Sequence, residues 1–270
     1  MKLVIEAGVS ADHYWRDMWR YRELMYFLAW RDLAVRYKQT VIGVAWALIR
    51  PAITMLVFVA FRRLVDVPAG EVPEPLLVFA AVLPWQFFSS ALLESSASLI
   101  GNAGLISKVY FPRLLIPTAA VVTAFADFLI MLAMLAVLMA WYGIAPGWPM
   151  LALPFFTALA GCLALGLGFL LAALNVQYRD FRYIVPFLIQ VGLFVSPIAF
   201  TTAHMPERWK AAYMWNPLVG IIDGFRWSIL DGRLALAPRA VWLSAALALT
   251  SILFGVWYFR RVERSFADVI

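Results

Sequence analysis

The chain has 270 residues, of which 64% are hydrophobic and only 14% are charged, and its mean hydropathy is +0.83. A soluble domain is about half apolar and about one-quarter charged, so this composition excludes both a soluble globular protein and a disordered chain. The net charge of +6 fits Lys and Arg residues held on the cytoplasmic side of a membrane, and no nucleic-acid partner is expected.

Six apolar runs, taken in chain order, predict six transmembrane helices. Each is close to the ~20 residues that cross the hydrocarbon layer as a helix, and none alternates as a membrane β-strand would. The predicted spans cover residues 41–61, 76–98, 115–141, 151–174, 184–200 and 241–259. We therefore expect an all-α integral membrane protein with its transmembrane domain at 41–260, an N-terminal segment at 1–40 and a tail at 261–270.

The distribution of Lys and Arg orients these spans. If both termini are cytoplasmic, fourteen of the 22 basic residues lie in inside segments and seven in outside segments. Cytoplasmic loops of membrane proteins carry the excess of basic residues. Because six spans return the chain to its starting side, we expect a multi-pass protein with both termini in the cytoplasm.

The segment before the first span predicts a helix that does not cross the membrane. Residues 21–39 combine a broad apolar side with six charged residues, a mixture typical of helices lying at the membrane interface. We expect an anchor on the cytoplasmic surface. A docking surface for a cytoplasmic partner would add to that role.

The connection between spans five and six predicts two short helices. Residues 218–230 form an apolar stretch that reaches only about 20 Å as a helix, too short to cross the bilayer. Pro206 suits the first position of the helix before it, and Pro217 ends that helix. We interpret residues 202–233 as a re-entrant hairpin in the outer leaflet, and a pair of helices on the bilayer surface is the alternative.

The chain lacks the motifs of a catalytic site. It has no P-loop motif, two histidines and a single cysteine, Cys162, so we expect no catalytic, cofactor or metal site within it. The glycines of residues 161–168 lie inside a span, where they are predicted to let helices pack closely. Any energy for active transport would come from another chain or from an ion gradient.

Three charged residues lie within the predicted spans: Arg50, Glu94 and Asp127. A charge at the bilayer centre costs ~2.5–3.5 kcal/mol on insertion scales, so such residues face the bundle interior or water. Arg50 is the available counter-charge for the two acids. An ion pair between helices, side chains that snorkel to the membrane boundary, a place in a translocation path and a proton relay are all open, although a relay generally uses more carboxylates.

Aromatic residues are abundant, with 12 Trp, 10 Tyr and 20 Phe. Many lie at the ends of spans, as in the aromatic belts of the membrane interfaces. The alternative is a path lined by ring faces, on which the apolar faces of sugars stack. The candidates for such a path or its gate are Trp85, Phe88, Trp209, Tyr213, Trp215, Phe225 and Trp227.

Several stretches together carry a family resemblance. They read RYKQTVIGVAWALIRPA at 36–52, SKVYFPRLLIP at 107–117, QYRDFRYIVPFLIQVGLFVSPIAF at 177–200 and WNPLVGIIDGFR at 215–226. In this order and spacing they resemble the permease subunits of ABC-2 type polysaccharide exporters, which export O-antigen, capsule or teichoic acid. The O-antigen permeases look most similar, and the resemblance covers about residues 20 to 265.

The resemblance implies an assembly in the bacterial inner membrane. It consists of a homodimer of the permease and two copies of a cytoplasmic ATPase subunit, which binds the ATP and Mg. The resemblance also implies that the cargo is a polysaccharide linked to an undecaprenyl lipid carrier. Residues 202–233 would resemble the outer gate of the family.

The resemblance also implies that residues 101–113 form the coupling helix that receives the ATPase. Asn102 would cap the start of this helix, and Pro112 would end it. Replacing residues 108–111 by a Gly/Ser linker is expected to abolish ATP-coupled export. The residues implied to couple to the ATPase are Asn102, Leu105, Lys108, Tyr110, Phe111 and Arg113, with Arg31 and Arg36 from the interfacial helix.

Three alternatives stay open at this point. An ABC-2 exporter of drugs or small lipids shares the architecture. A membrane-embedded enzyme acting on a lipid-linked donor would need clustered acids at an interface, such as Asp66, Glu71 and Glu74, for which a hydrophilic outer loop is the plainer interpretation. A proton-driven carrier is disfavoured by the small number of buried acids.

Overall fold

The computed structural model describes residues 11–38, 43–66, 72–202, 205, 207–263 and 266. Helix is the only regular structure among them, as expected for segments that must satisfy their backbone groups within lipid. A 3₁₀ helix, Trp148–Ala152, precedes the seventh α-helix. The α-helices are α1 (Ala11–Arg20), α2 (Arg22–Lys38), α3 (Ala45–Leu64), α4 (Glu74–Gly101), α5 (Ala103–Ile106), α6 (Leu115–Trp141), α7 (Leu153–Gln177), α8 (Phe181–Val195), α9 (Glu207–Tyr213), α10 (Pro217–Ile229) and α11 (Pro238–Val262).

Five segments of the described chain are long and apolar enough to cross a membrane. They are α3, α4, α6, the 3₁₀ helix with α7, and α11. The sixth apolar helix, α8, has 15 residues and rises about 22 Å, less than the ~30 Å of the hydrocarbon layer. The prediction of an all-helical membrane protein is confirmed, and the chain passes the membrane several times.

The predicted fifth span, 184–200, is wrong at its outer end. Helix α8 stops at Val195, and Ser196 has extended backbone angles, φ −84° and ψ 152°. Ser196 precedes Pro197, whose ring disfavours the helical region for the residue before it. Residues 196–202 therefore continue as largely irregular backbone.

The other spans lie where the apolar runs predicted them, with small differences at the ends. Helix α6 has the predicted bounds, and α4, α7 and α11 extend a few residues beyond the apolar runs because a helix continues past the hydrocarbon. Helix α3 is displaced by a few residues from the predicted 41–61, of which 41 and 42 lie outside the described residues. Residues 1–10 and most of the predicted tail also lie outside them.

Helix α4 is the centre of the bundle. It packs against α6 and α7, and α11 packs on the far side of α7. We call the end that contains α5 the inner end and the end that contains α9 and α10 the outer end. At the inner end α2 packs against α6, and at the outer end α10 packs against α4, α7 and α11.

The close packing predicted for the glycines of 161–168 is confirmed at two positions. A Cβ atom on Gly166 would overlap the backbone of α11 at Ser251 and Ile252, and one on Gly255 would overlap the carbonyl oxygen of Gly166. A Cβ atom on Gly168 would overlap the side chain of Ser95 on α4. The backbones of α7 and α11 thus approach each other to a distance that only hydrogen atoms at these positions allow.

Two short helices, α9 and α10, occupy the predicted hairpin. The backbone N–H of Leu218 donates to Oδ1 of Asn216 (3.0 Å), so Asn216 caps α10. Helix α10 is buried among the spans, and it is therefore not the surface helix of the alternative interpretation. Helix α9 has exposed residues, among them Trp209, and Pro206 lies outside the described residues.

Candidate functional site

The loop between α4 and α6 is less helical than the resemblance implied. Only Ala103–Ile106 are helical, so the predicted helix at 101–113 is wrong in extent. Asn102 occupies the N-cap position, but its side chain makes no capping hydrogen bond. Its amide instead donates to the carbonyl of Ser98 (2.9 Å), and its side-chain oxygen accepts a hydrogen bond from Nη2 of Arg31 (2.8 Å). Asn102 therefore joins α2 to the inner end of α4.

The inner loop, defined here as residues 102–113, has an exposed tip and a buried base. Lys108, Val109 and Tyr110 are exposed. Phe111 is only 4% exposed and packs in an apolar cluster with residues of α2, α6, α7 and α11. Leu105 is half-buried beside this cluster. A partner can touch the tip, whereas Phe111 fixes the loop to the bundle.

Hydrogen bonds connect the base of the inner loop to residues near both ends of the described chain. Oε1 of Glu263, just after α11, accepts the hydroxyl of Tyr14 (3.2 Å) and the backbone N–H of Arg113 (3.0 Å). The guanidinium of Arg113 also donates to the backbone carbonyl of Glu263, and that of Arg260 lies 4.5 Å over the Tyr14 ring. Burial raises the pKa of Glu263, and the N–H of Arg113 partly opposes this shift.

The counter-charge of the two acids within the spans is Arg36. Its guanidinium forms ion pairs with Glu94 (2.8 Å) and with Asp127, and the hydroxyl of Tyr37 donates to Asp127. The expected ion pair between elements therefore exists, but the assignment of Arg50 as its cation is wrong. The sequence did not indicate Arg36, because its segment reads as a surface helix.

Helix α2 is inclined towards the bundle interior. Arg31 contacts Asn102 at the inner end of α4, whereas Arg36 contacts Glu94, which lies eight residues or about 12 Å deeper along the same helix. The carbonyl of Ala29 accepts from the hydroxyl of Thr123 on α6 (3.5 Å). Helix α2, which was predicted to lie flat at the interface, thus places the guanidinium of Arg36 at the depth of Glu94 and Asp127.

Two buried arginines hold the irregular segment 196–202 at the outer end. Arg226 of α10, 1% exposed, donates to the carbonyls of Ile198 (2.9 Å), Phe200 (3.0 Å) and Leu77 (3.3 Å). Arg62 of α3, also 1% exposed, donates to the carbonyl between them, at Ala199 (2.7 Å). Three successive carbonyls of irregular backbone are therefore paired, as burial in an apolar bundle requires.

The carboxylate that balances Arg62 is Glu74. Its two oxygens lie 3.3 Å from Nε of Arg62 and 3.1 Å from Nε of Arg63. Asp223 similarly accepts from the hydroxyl of Thr202 and lies 3.9 Å from Arg226. Glu74 belonged to the acidic cluster considered for an enzyme, and its charge is used in these ion pairs. Glu71 of that cluster lies outside the described residues.

The aromatic path candidates do not form one surface within a single chain. Trp85 and Phe88 are buried and line an apolar cavity of about 300 Å³ between α4, α7 and α8. Phe225 is fully buried with its ring edge on Phe128. The outer aromatics differ: Trp227 packs against Trp148 (5.3 Å), Tyr213 packs against Phe200 (5.7 Å), and Trp209 and Trp215 are exposed.

The sequence profile of the ABC-2 type transporter family matches residues 23–230, a range that extends from α2 to the end of α10. The chain belongs to this family. The match includes the inner loop, the ion-paired acids of the spans and both buried arginines of the outer end.

Relatives within the ABC-2 transporter family align along nearly their whole length. The O-antigen export system permease protein RfbA of Myxococcus xanthus is 29% identical over 241 residues, which are 88% of this chain and 91% of the relative. RfbA of Klebsiella pneumoniae is 25% identical over 251 residues, 92% and 95% of the two chains. The polysialic acid transport protein KpsM of Escherichia coli is 22% identical over 240 residues, 87% and 92% of the two chains.

Proposed function

We propose that this chain is the permease subunit of an ATP-driven exporter that moves a polysaccharide, with O-antigen as the expected cargo, across the bacterial inner membrane. The observation that carries the proposal is the end-to-end alignment with the RfbA permeases, over 88% and 92% of this chain. Their identities exceed that of KpsM, which favours O-antigen over a capsular polymer.

The permease works as a homodimer with two copies of a separate ATPase subunit below it. The exposed tip of the inner loop at 108–110 suits a cleft on a rigid partner, and its buried base transmits a push to the bundle. Asn102 links this loop to α2 through Arg31 (2.8 Å), so Arg31 contributes to coupling through Asn102. The partner binds ATP and Mg. This chain provides the translocation path, the outer gate and the inner loop through which the ATPase moves the bundle.

The cargo enters from the cytoplasmic leaflet on an undecaprenyl carrier, and the sugar chain is threaded outward between the two copies. Helix α8 together with residues 196–202 completes the sixth crossing, and both termini are cytoplasmic. Helices α9 and α10 form the outer gate, and exposed Trp209 and Trp215 offer ring faces to emerging sugars. The buried rings Trp85, Phe88 and Phe225 support these elements from within.

The tip of the inner loop provides the test of coupling. Replacing Lys108, Val109 and Tyr110 by Gly-Ser-Gly, with Phe111 retained because it is part of the apolar cluster, is expected to leave insertion and dimer formation intact. Surface polysaccharide should be lost and lipid-linked polymer should accumulate inside the cell. Surface labelling with a polymer-specific antibody and analysis of the inner-membrane lipid fraction measure the two pools.

The matched control replaces Tyr178, Arg179 and Asp180, an exposed segment at the same end, by the same Gly-Ser-Gly. Export should persist in this variant. Normal export after replacement of 108–110 would rule out the coupling assignment, and export by the purified permease without an ATPase would refute the proposed function.

A further inference from the structure

A cavity of about 410 Å³ separates the inner part of α3 from α2, α4 and α6. Its wall carries two carboxylates, those of Glu94 and Asp127, and two guanidinium groups, those of Arg36 and Arg50. The four formal charges balance, but the ion pairs are unevenly shared. Arg36 pairs with both carboxylates, whereas the guanidinium of Arg50 has no partner among the residues that the structure describes. One cation therefore serves two acids while the other serves none of them.

The inner part of α3, Ala45–Arg50, is held less firmly than the outer part of the same helix. All six of its residues are exposed or half-buried, and Trp46 is 45% exposed. In the outer part, Met55 and Phe58 are buried in the main apolar core, and Arg62 forms a buried ion pair. Segments with few buried contacts are those that move at low cost in free energy. The inner part of α3 is therefore able to move while the outer part stays in place.

Pro51 lies at the boundary between the two parts of α3. Proline has no N–H group and its ring crowds the carbonyl four residues earlier, so the carbonyl of Ala47 receives no hydrogen bond from Pro51 and helices bend at such positions. Both Ala47 and Pro51 line the cavity. A bend at Pro51 would therefore move the inner part of α3 towards or away from the two carboxylates.

Glu94 is the carboxylate that Arg36 can release at the lower cost. Asp127 also accepts a hydrogen bond from the hydroxyl of Tyr37, so it has two partners on α2. Glu94 forms its ion pair in the described part of the chain with Arg36 (2.8 Å). If Glu94 turned to Arg50, each carboxylate would have a guanidinium of its own, and a cation within a span would be compensated.

We propose that the inner part of α3 is a hinged segment that closes the cavity by bending at Pro51, and that Arg50 then takes Glu94 from Arg36. The structure shows the open arrangement, in which Arg36 holds both acids. In the closed arrangement Arg36 keeps Asp127, and Arg50 joins α3 to α4. The two arrangements contain the same charges and differ in how the charges are paired, as is typical of a two-state element.

The test measures how often the cavity is open in the purified full-length permease, without ATPase or ATP. Ser90→Cys places a thiol on the cavity wall, and Cys162→Ser removes the single native cysteine. The rate at which methyl methanethiosulfonate, a small reagent, modifies the introduced thiol is followed by intact-protein mass spectrometry. Closure hides this thiol, so a slower rate reports a larger closed population.

Removal of Arg36 should favour closure, because Glu94 then has only Arg50 as a cation on the cavity wall. In this background Arg36→Gln is expected to slow the modification about fivefold. Arg36→Lys, which keeps a charge but lacks the planar fork that spans two carboxylates, should act in the same direction and serves if Arg36→Gln does not fold. Arg50→Gln alone should leave the rate near that of the parent, because the parent is already open.

The double variant of Arg36→Gln and Arg50→Gln separates closure from general electrostatics. Loss of each positive charge also lowers the thiolate fraction of a nearby cysteine, so electrostatics alone would make the double variant slower than either single variant. Exchange of Glu94 predicts the opposite, a return to the parent rate. Glu94→Gln should likewise restore the rate in the Arg36→Gln background, whereas Asp127→Asn should not. Arg182→Gln, an exposed position of α8, is the control for charge and should have no effect.

An unchanged or faster rate in both Arg36 variants, or a double variant slower than both single variants, would overturn the proposal. Restoration by Asp127→Asn and not by Glu94→Gln would overturn the choice of Glu94 as the exchanged acid. Because only the isolated permease is measured, none of these results bears on the proposed exporter function. Failure of export in the inner-loop experiment would equally leave the result on closure unchanged.

Discussion

Single charged side chains account for the main differences between the sequence predictions and the structure. Arg62, Glu74 and Arg226 read as parts of polar outer loops, yet Arg62 and Arg226 are 1% exposed and Glu74 is buried between two guanidinium groups. Arg36 reads as a surface charge, yet it pairs with both acids of the spans. Asp223 lies three residues before Arg226 and Glu74 twelve after Arg62, but the partners of Arg36 and the carbonyls bound by the two buried arginines are distant along the chain, so no local pattern indicates them.

Arg226 is expected to be more important for stability than its place in the sequence indicates. In Arg226→Met the carbonyls of Ile198 and Phe200 lose their donors within a buried region, at a cost of about 2–5 kcal/mol. The thermal midpoint of unfolding in detergent, followed by tryptophan fluorescence, should fall clearly. Arg233→Met, at an exposed position just beyond α10, is the control and should change it little. An unchanged midpoint in Arg226→Met would contradict the role of this side chain.

At the scale of the elements, the spans were predictable and the connections were only partly so. Apolar runs mark the hydrocarbon layer, so the five long spans and the two short outer helices lie near their predicted bounds. The end of α8 was misplaced because Ser196 and Pro197 lie within a continuous apolar run. The inner loop was predicted to be helical by resemblance, but its conformation depends on contacts with Glu263 and Arg31, which sequence periodicity does not contain.

The crossing of α7 and α11 gives a prediction about elements. In Gly255→Leu the new side chain meets the carbonyl of Gly166, and the two helices must separate. Overpacking of this kind costs about 1–3 kcal/mol or more. The variant should show a lower thermal midpoint and reduced yield of monodisperse protein in size-exclusion chromatography. Ala246→Leu introduces the same side chain at an exposed position of α11 and should resemble the wild type. Identical behaviour of the two variants would argue against a close crossing.

At the scale of the whole molecule, Glu263 joins parts of the chain that are far apart in sequence. It links α1 through Tyr14, the inner loop through Arg113 and the end of α11 through its own backbone. The match to the family profile ends at residue 230. Glu263 therefore connects the inner loop to a part of the chain that lies beyond that range. Movement of the loop is therefore coupled to both ends of the described chain.

This link predicts a specific pH dependence of stability. Because burial raises the pKa of Glu263, the folded state binds its proton more readily than the unfolded state. The stabilisation of the folded state by protonated Glu263 is fully present below the ordinary glutamate pKa. It is lost as the pH rises through the pKa of Glu263 in the folded state. In Glu263→Gln this loss is absent, and the amide oxygen still accepts from Arg113.

Thermal midpoints of wild type and Glu263→Gln should be compared from about pH 4 to about pH 8, a range that begins near the ordinary glutamate pKa. The midpoint of the variant minus that of the wild type is expected to increase with pH. Glu23→Gln, at an exposed position of α2, serves as the control for general charge effects. A difference that stays constant or decreases with pH would contradict the buried state of Glu263.

The shortness of α8 has a consequence for the surrounding lipid. In the proposed sixth crossing the 15-residue helix covers only about 22 Å, so either residues 196–202 cover the rest of the hydrocarbon layer or the bilayer beside α8 is locally thinner. Such a local depression brings the two aqueous phases closer together at one side of the protein. In the proposed exporter, a polymer that passes between the two copies beside α8 would then have a thinner layer of hydrocarbon to cross.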